Sequence, residues 1–561
     1  MSSTRKRAAA VASVAALALT LTAACSSGSD HKAATTPSST PTAEGVQIPA
    51  AQQVGAMKDF KADETFKATA PTTISLFYRD HPNYPLNKDW LIFQALKSNQ
   101  NISFDITSAP LSDWDAKKSL VISSGDAPEL ISVTYPGQET QFVAGGALLP
   151  ISDYVHYMPN FEKKVKDWGL DAYVNNLKQA DGKYYMLPGF YQSPQPQYSI
   201  AIRQDVWEKS GITSDPKTYD EFAKDLQILK DKNPGVWPMS DRWSTTNNVP
   251  LGATLQTAAP NFNTVAGWGF GNGLWYDAKT KKFQFAPETA GYKQLVSYFA
   301  NLVQKGLLDP DSVTQTDDNA IKKFGSGQSL SIAGNTQEVT NYVKTFTQTG
   351  NTDAKVHLLR VPSGPGGDQV ASGGRQASGF MISAKAKDQP NFLALLQFVD
   401  WLYYSDEGLT FAKWGVEGTT YTKDASGNLK LAADVDWNGV NPAGTKKLNA
   451  NFGFSNGVFM LANGSADSII KGMNNDVTNQ FVQAMSTKKE LPLAPTAPLS
   501  ADSQEQVTLW KTALNDSVMQ NTAAFITGKR PMADWDKWMT ELKGLNVDQY
   551  VQAYNDALAN K

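Results

Sequence analysis

A single cysteine, Cys25, stands in 561 residues. A structural disulfide needs two, so an exported form of this chain must hold its fold by core burial, which its length allows. Histidine is nearly as scarce. His31, His81, His156 and His357 are scattered, and with no further thiol they make a poor transition-metal set. Charge is almost balanced, at a net -3, which leaves no electrostatic footprint for nucleic acid. Beyond the N-terminal region no apolar run reaches the ~18 residues of a membrane helix. No H-E-x-x-H occurs, which removes one hydrolase signature. No fixed-period repeat of the solenoid kind is present.

What is present starts with an address. Arg5, Lys6 and Arg7 precede an uncharged run from Ala8 to Ala24, the basic and apolar regions of a secretory signal. Small residues end the run, so residues 1–24 are expected to be removed. Thr22-Ala23-Ala24-Cys25 resembles a bacterial lipobox, although the usual leucine stands one place early, at Leu21. Cys25 is expected to carry acyl chains, and about two hydrophobic signals give a stable anchor. Residues 25–65, rich in Ser, Thr, Ala and Pro, are expected to form a flexible tether. The expected location is the outer face of the cell membrane.

The remaining ~490 residues suit two or three domain-sized units. TISLFY (Thr73–Tyr78), ISFDI (Ile102–Ile106) and Leu130–Val133 read as strands. Asp89–Leu96 and Trp114–Ser123 read as helices between them. This alternation points to a mainly parallel sheet covered by helices. Further strands are expected at Lys183–Leu187, Tyr198–Arg203, Leu330–Ala333 and Gly379–Ser383. Thr218 and Glu221 have capping-box spacing. Asn391–Tyr404 is a strongly apolar helix.

Several segments together resemble one family. SSGDAPELISV, DGKYYMLPGF, AIRQDVWEKSGITSDPKTYDEF, LVQKGLLDPD and LYYSDEGLTFAKWGVEG occur in the order found in extracellular solute-binding proteins of carbohydrate ABC importers. The nearest group is the large lipoproteins linked to uptake of oligosaccharides, uronic-acid-containing ones included. The resemblance covers nearly the whole mature chain. It implies an α/β, two-lobed periplasmic-binding-protein-like fold (type II, maltodextrin-binding-like), with an interlobe cleft and a hinge of several crossovers. Lobe one is then expected at 66–195 plus 378–490, and lobe two at 196–377 plus 491–561. It also implies a carbohydrate ligand, ABC permease subunits as partners, no catalysis, no cofactor and a monomer.

Ligands of open parallel sheets sit beyond the carboxyl ends of strands, and sugars want aromatic platforms beside planar polar groups. That selects Tyr78, Asp80 and Trp90 near the first strand, Tyr135 after the third, and Asn335 after Leu330–Ala333. The Gly- and aromatic-rich stretch from Gly267 to Tyr276 adds Trp268 and Trp275, whose other reading is an edge hairpin packed under the domain. Trp243 joins them. Arg375 is a candidate partner for an acidic sugar, or else an interlobe ion pair. Trp414 and Glu417 lie in a G-x-E-G turn that the resemblance places near the cleft; a plain turn cap is the rival for Glu417. Trp401 reads as core. Asp434-Val435-Asp436-Trp437-Asn438-Gly439 imitates the start of a calcium loop, but Thr445 occupies the position of its bidentate Glu, so a solvated turn is expected.

Two rival functions remain at this level. One is a surface enzyme acting on polysaccharide, whose paired carboxylates lie ~5–9 Å apart in space and so leave no sequence trace. The other is a peptide or siderophore carrier on the same scaffold.

Overall fold

A computed structural model describes residues 46–244, 249–455 and 464–559. Cys25 and the expected leader lie outside the described residues. The expected tether ends earlier than its composition suggests. Ile48 is buried, Met57 and Phe60 pack on the first core, and Gln397 holds the Met57 backbone at both its N–H and its carbonyl (2.8 and 3.0 Å). Three apolar side chains suffice to dock a segment whose average composition looks unstructured.

Eight strands form the two principal sheets: β1 (Thr72–Asp80), β2 (Ile102–Pro110), β3 (Leu130–Thr134), β4 (Met186–Phe190), β5 (Tyr198–Arg203), β6 (Ser331–Asn335), β7 (Val356–Leu358) and β8 (Gln376–Ile382). The first sheet has the order β2-β1-β3-β8-β4. β1 runs parallel to β2, with Thr72 opposite Ile102 and Asp80 opposite Pro110, and parallel to β3. β8 is antiparallel to both neighbours. It enters the sheet only after the chain has built the second one. Its register shifts at Gly379, where a Cβ would overlap the Leu187 carbonyl, so glycine alone allows this approach.

The second sheet, β6-β5-β7, is antiparallel throughout. The expectation of a mainly parallel sheet therefore holds for β1, β2 and β3 and fails elsewhere. Parallel pairing follows from helix-covered crossovers, whereas strands returning from a distant excursion can pair in either sense.

Each sheet has its own apolar core. The first takes Phe392–Tyr404, every residue of which is buried, as its run FLALLQFVDWLYY requires. Gln397, already bonded to Met57, and Asp400 are its polar exceptions, Asp400 alone carrying a carboxyl group. Its carboxylate accepts from the backbone N–H groups of Asn160 and Phe161 (2.9 and 2.8 Å), at the start of the helix Pro159–Trp168. Burial still pushes it up to about 7. The second core joins Tyr219–Lys232, capped by Thr218 as its spacing indicates, to Ala290–Gln304 and the long helix Ala501–Ile526.

Crossovers connect the sheets at 191–197 and 369–375, and two of the connecting segments run side by side, Gln369 opposite Lys489 and Val370 opposite Glu490. The helix Asp476–Met485 falls before the expected boundary at 490 but packs on the second sheet, its Phe481 and Met485 meeting Ile332 and Leu358. Among the described residues no helix is long and apolar enough to cross a membrane.

Candidate ligand-binding site

At the edge of the second sheet Tyr198 starts β5 opposite Asn335, the last residue of β6. Asn335 Oδ1 accepts from the N–H groups of Gln337 and Glu338 (3.0 and 2.9 Å) and so shapes the turn that follows. That turn presents Glu338 to Arg242, 2.8 Å away. Arg242 also meets Asp317 at 3.3 Å, and its guanidinium lies 4.3 Å over the Trp243 ring. Trp243 has φ +68°, a region costly for a bulky residue. Its N–H donates to Asp317 Oδ1 at 2.9 Å, which helps to hold that conformation.

Trp243 then meets Trp268 at 5.3 Å and Tyr198 at 6.1 Å between ring centroids, and Tyr198 meets Trp268 at 5.9 Å. Trp268 and Tyr198 are half-buried. The Trp268 indole N–H is buried and makes no hydrogen bond. Trp268 owes its place to Gly252, where a Cβ would overlap the indole. Three rings thus form an apolar cluster, Trp243 buried and Trp268 and Tyr198 partly exposed, held from behind by charged groups that are already paired.

The first sheet contributes Tyr135, just beyond β3, with 42% of its surface exposed. Burial, with Tyr135 second, raises Tyr198 above the ordinary tyrosine value. Tyr84 is pushed up to about 12, mainly by burial.

Three of the sequence-based candidates therefore come together, Trp243, Trp268 and Asn335, while Tyr135 stays exposed beyond β3. The others stand elsewhere. Trp90 is fully buried, donates to the Ala450 carbonyl (2.9 Å) and belongs to the first core. Trp414 is likewise buried, with its N–H on the Ile469 carbonyl (2.8 Å). Tyr78 is 1% exposed and faces the same core. Asp80 accepts from the Leu86 N–H at 2.8 Å and closes its own loop. Arg375 gives its donors to the carbonyls of Tyr191 and Trp168 (3.1 and 2.9 Å), so it fixes a crossover and pairs with no carboxylate there. Glu417 is exposed and pairs with Lys423 at 2.9 Å. Trp275 sits in the hairpin Leu274–Asp277/Lys282–Phe285, which is bonded to Asn555 of the last helix. Trp414 and Glu417, each beside a glycine, look like a site in sequence, yet they serve equally well as core and as a surface ion pair.

The calcium-like loop carries its own cations. Asp434 pairs with Lys446 (2.9 Å) and the buried Asp436 with Lys447 (2.7 Å). Among the described residues no cluster of three or more His, Cys, Asp or Glu is arranged to hold a metal. Sequence reading passed over Tyr198, taken only as a strand residue, and Arg242, whose neighbour Trp243 it chose.

The fold and the paired sheets have close counterparts. An "HMO binding ABC-transporter associated" solute-binding protein from Bifidobacterium longum infantis superposes with a TM-score of 0.65 at 18% identity, covering 87% of this chain and 98% of that one. The alginate-binding protein AlgQ2, solved without calcium ion, gives 0.65 at 14% identity over 89% and 99%. In sequence, the fructooligosaccharide ABC transporter substrate-binding protein FusA of Streptococcus pneumoniae serotype 4 is 25% identical over 269 residues, 45% of this chain and 48% of that protein. The match thus spans about half the length of that relative. The model of the bacterial extracellular solute-binding protein family matches residues 83–408, more than half of the chain. The protein accordingly belongs to the family of bacterial extracellular solute-binding proteins.

Proposed function

We propose that this protein captures an oligosaccharide between its two sheets and delivers it to an ABC importer. The observation that carries this reading is the ring trio Tyr198, Trp243 and Trp268. Flat C–H faces of a sugar stack on such rings, and its hydroxyls reach the tyrosine hydroxyls. Oligosaccharides named for FusA and for the Bifidobacterium protein are in keeping with it.

Capture works by closure. A ligand touching both sheets favours the closed arrangement only by its differential affinity, and moving from 1:99 to 99:1 takes ~5.5 kcal/mol. Two or three stacked rings at roughly 1–3 kcal/mol each cover that range. Lipidation of Cys25 would hold the protein at the outer membrane face, within reach of its permease. Bound sugar leaves chemically unchanged.

The test is a thermal-shift screen over an oligosaccharide panel, followed by calorimetry. A ligand at ~100 times its dissociation constant adds about 2.7 kcal/mol. Release of reducing ends from a polysaccharide by the purified protein would point to the enzyme reading instead.

A further inference from the structure

Where the two sheets meet near the first crossover lies a cavity of about 90 Å³, room for a small oxyanion with a few waters. From the first-sheet side it is lined by Lys413, Trp437 and Ser455, and from the second by Thr336 and Gln337. Lys413 is 1% exposed. It has neither an ion pair nor a hydrogen-bond partner among the described residues, whereas every other buried lysine here, Lys118, Lys164 and Lys488, has found an acceptor. Ser455 is hydrogen-bonded through its N–H to the Ala412 carbonyl (2.7 Å), beside Lys413, and its buried Oγ also lacks a partner.

The helix Asp476–Met485 brings its amino end to the same cavity through Asn475 and Thr478. A helix of this length presents partial positive charge there. Asp476 in the same turn is exposed and does not line the cavity. Among the described residues no carboxylate lines it. A buried ammonium and a buried hydroxyl, neither with a partner among the described residues, and a helix N-terminus converge on one small space that no described carboxylate lines. Unpaired buried charge is expensive, and such groups normally have partners.

We propose that this cavity is an anion subsite at the junction of the two sheets, with Lys413 as counter-charge, Ser455 Oγ as hydrogen-bond donor and the amino end of Asp476–Met485 as added dipole. The occupant is a carboxylate or sulfate group. It comes either from an acidic substituent of the captured sugar, which rests on the carbohydrate reading above, or from a free small anion. Because both sheets line the cavity, occupancy bridges them.

The experiment compares the full-chain protein with Lys413→Met. Lys413→Gln replaces it should Met fail to fold. Sodium sulfate and sodium acetate are titrated at constant ionic strength against chloride, reading the thermal midpoint. In parallel, a uronic-acid oligosaccharide and its carboxyl-reduced counterpart are titrated by calorimetry. A free-anion site gives a midpoint rise of several degrees with sulfate or acetate in the natural protein and none in the variant. A sugar-borne anion gives at least ten-fold preference for the uronide in the natural protein and none in the variant. If the variant answers every probe as the natural protein does, the subsite is refuted. Neutral sugars binding equally to both proteins in that case would leave the carbohydrate reading standing. A Lys413-dependent response to anions with no sugar bound would do the opposite.

Discussion

Removing the Lys413 charge should stabilise the ligand-free protein, against the usual outcome for a core substitution. Burial pulls this ammonium from the ordinary 10.5 down to about 7. At about 1.4 kcal/mol per pH unit, keeping it charged costs the folded state on the order of 4–5 kcal/mol. Local relaxation and water entry reduce that, so a gain of at least ~2 kcal/mol is expected for Lys413→Met at pH 6. The sign follows from linkage. Between about 7 and 10.5 the folded state holds fewer protons than the unfolded one, so native stability rises with pH across that window. Below 7 the full penalty applies, and near pH 10 less than about 1 kcal/mol of it remains. The advantage of the variant should therefore be large at pH 6 and nearly gone at pH 10. Urea unfolding of both proteins at the two pH values, followed by tryptophan fluorescence, measures it. Other titrating groups cancel in the difference. A variant less stable than the natural protein at pH 6, or a gap that ignores pH, would refute the reasoning.

Other expectations concern the rings. Trp243→Ala or Trp268→Ala should weaken sugar binding by about 1–3 kcal/mol each, seen by calorimetry, with the fold intact by circular dichroism; equal affinities would remove these rings from the site. Gly252→Ala should displace the Trp268 indole, lowering sugar affinity as Trp268→Ala does; an unaltered affinity and fluorescence spectrum would show that the helix simply shifts. Trp90→Ala and Trp414→Ala should cost roughly 3–5 kcal/mol of stability while the folded fraction binds sugar normally, and a selective affinity loss in either would return it to the cleft.

Much of this architecture is legible in the amino-acid order. TISLFY, the segment around Leu130, and Tyr198–Arg203 announce strands because β-branched and aromatic residues crowd between turn formers, and the structure places strands there. The sense of pairing is not legible. Nothing in Gln376–Ile382 tells that it returns antiparallel between β3 and β4. Site residues fare unevenly for a similar reason. Trp243 and Trp90 both follow two charged residues in sequence, but only distant partners decide that one joins a ring trio and the other donates to Ala450. Lys413 was hidden by its type. Lysine is normally solvated, and it stands next to Trp414 on one short helix where both are buried, so periodicity cannot separate core from cavity.

The central claim, that an oligosaccharide lies between the two sheets against these rings, is tested most directly by a crystal structure of the complex with a sugar from the thermal-shift panel. The expected result is an intact sugar stacked on Trp243 and Trp268, reached by Tyr135 from the other side. A sugar bound away from those rings, or found cleaved, would contradict it.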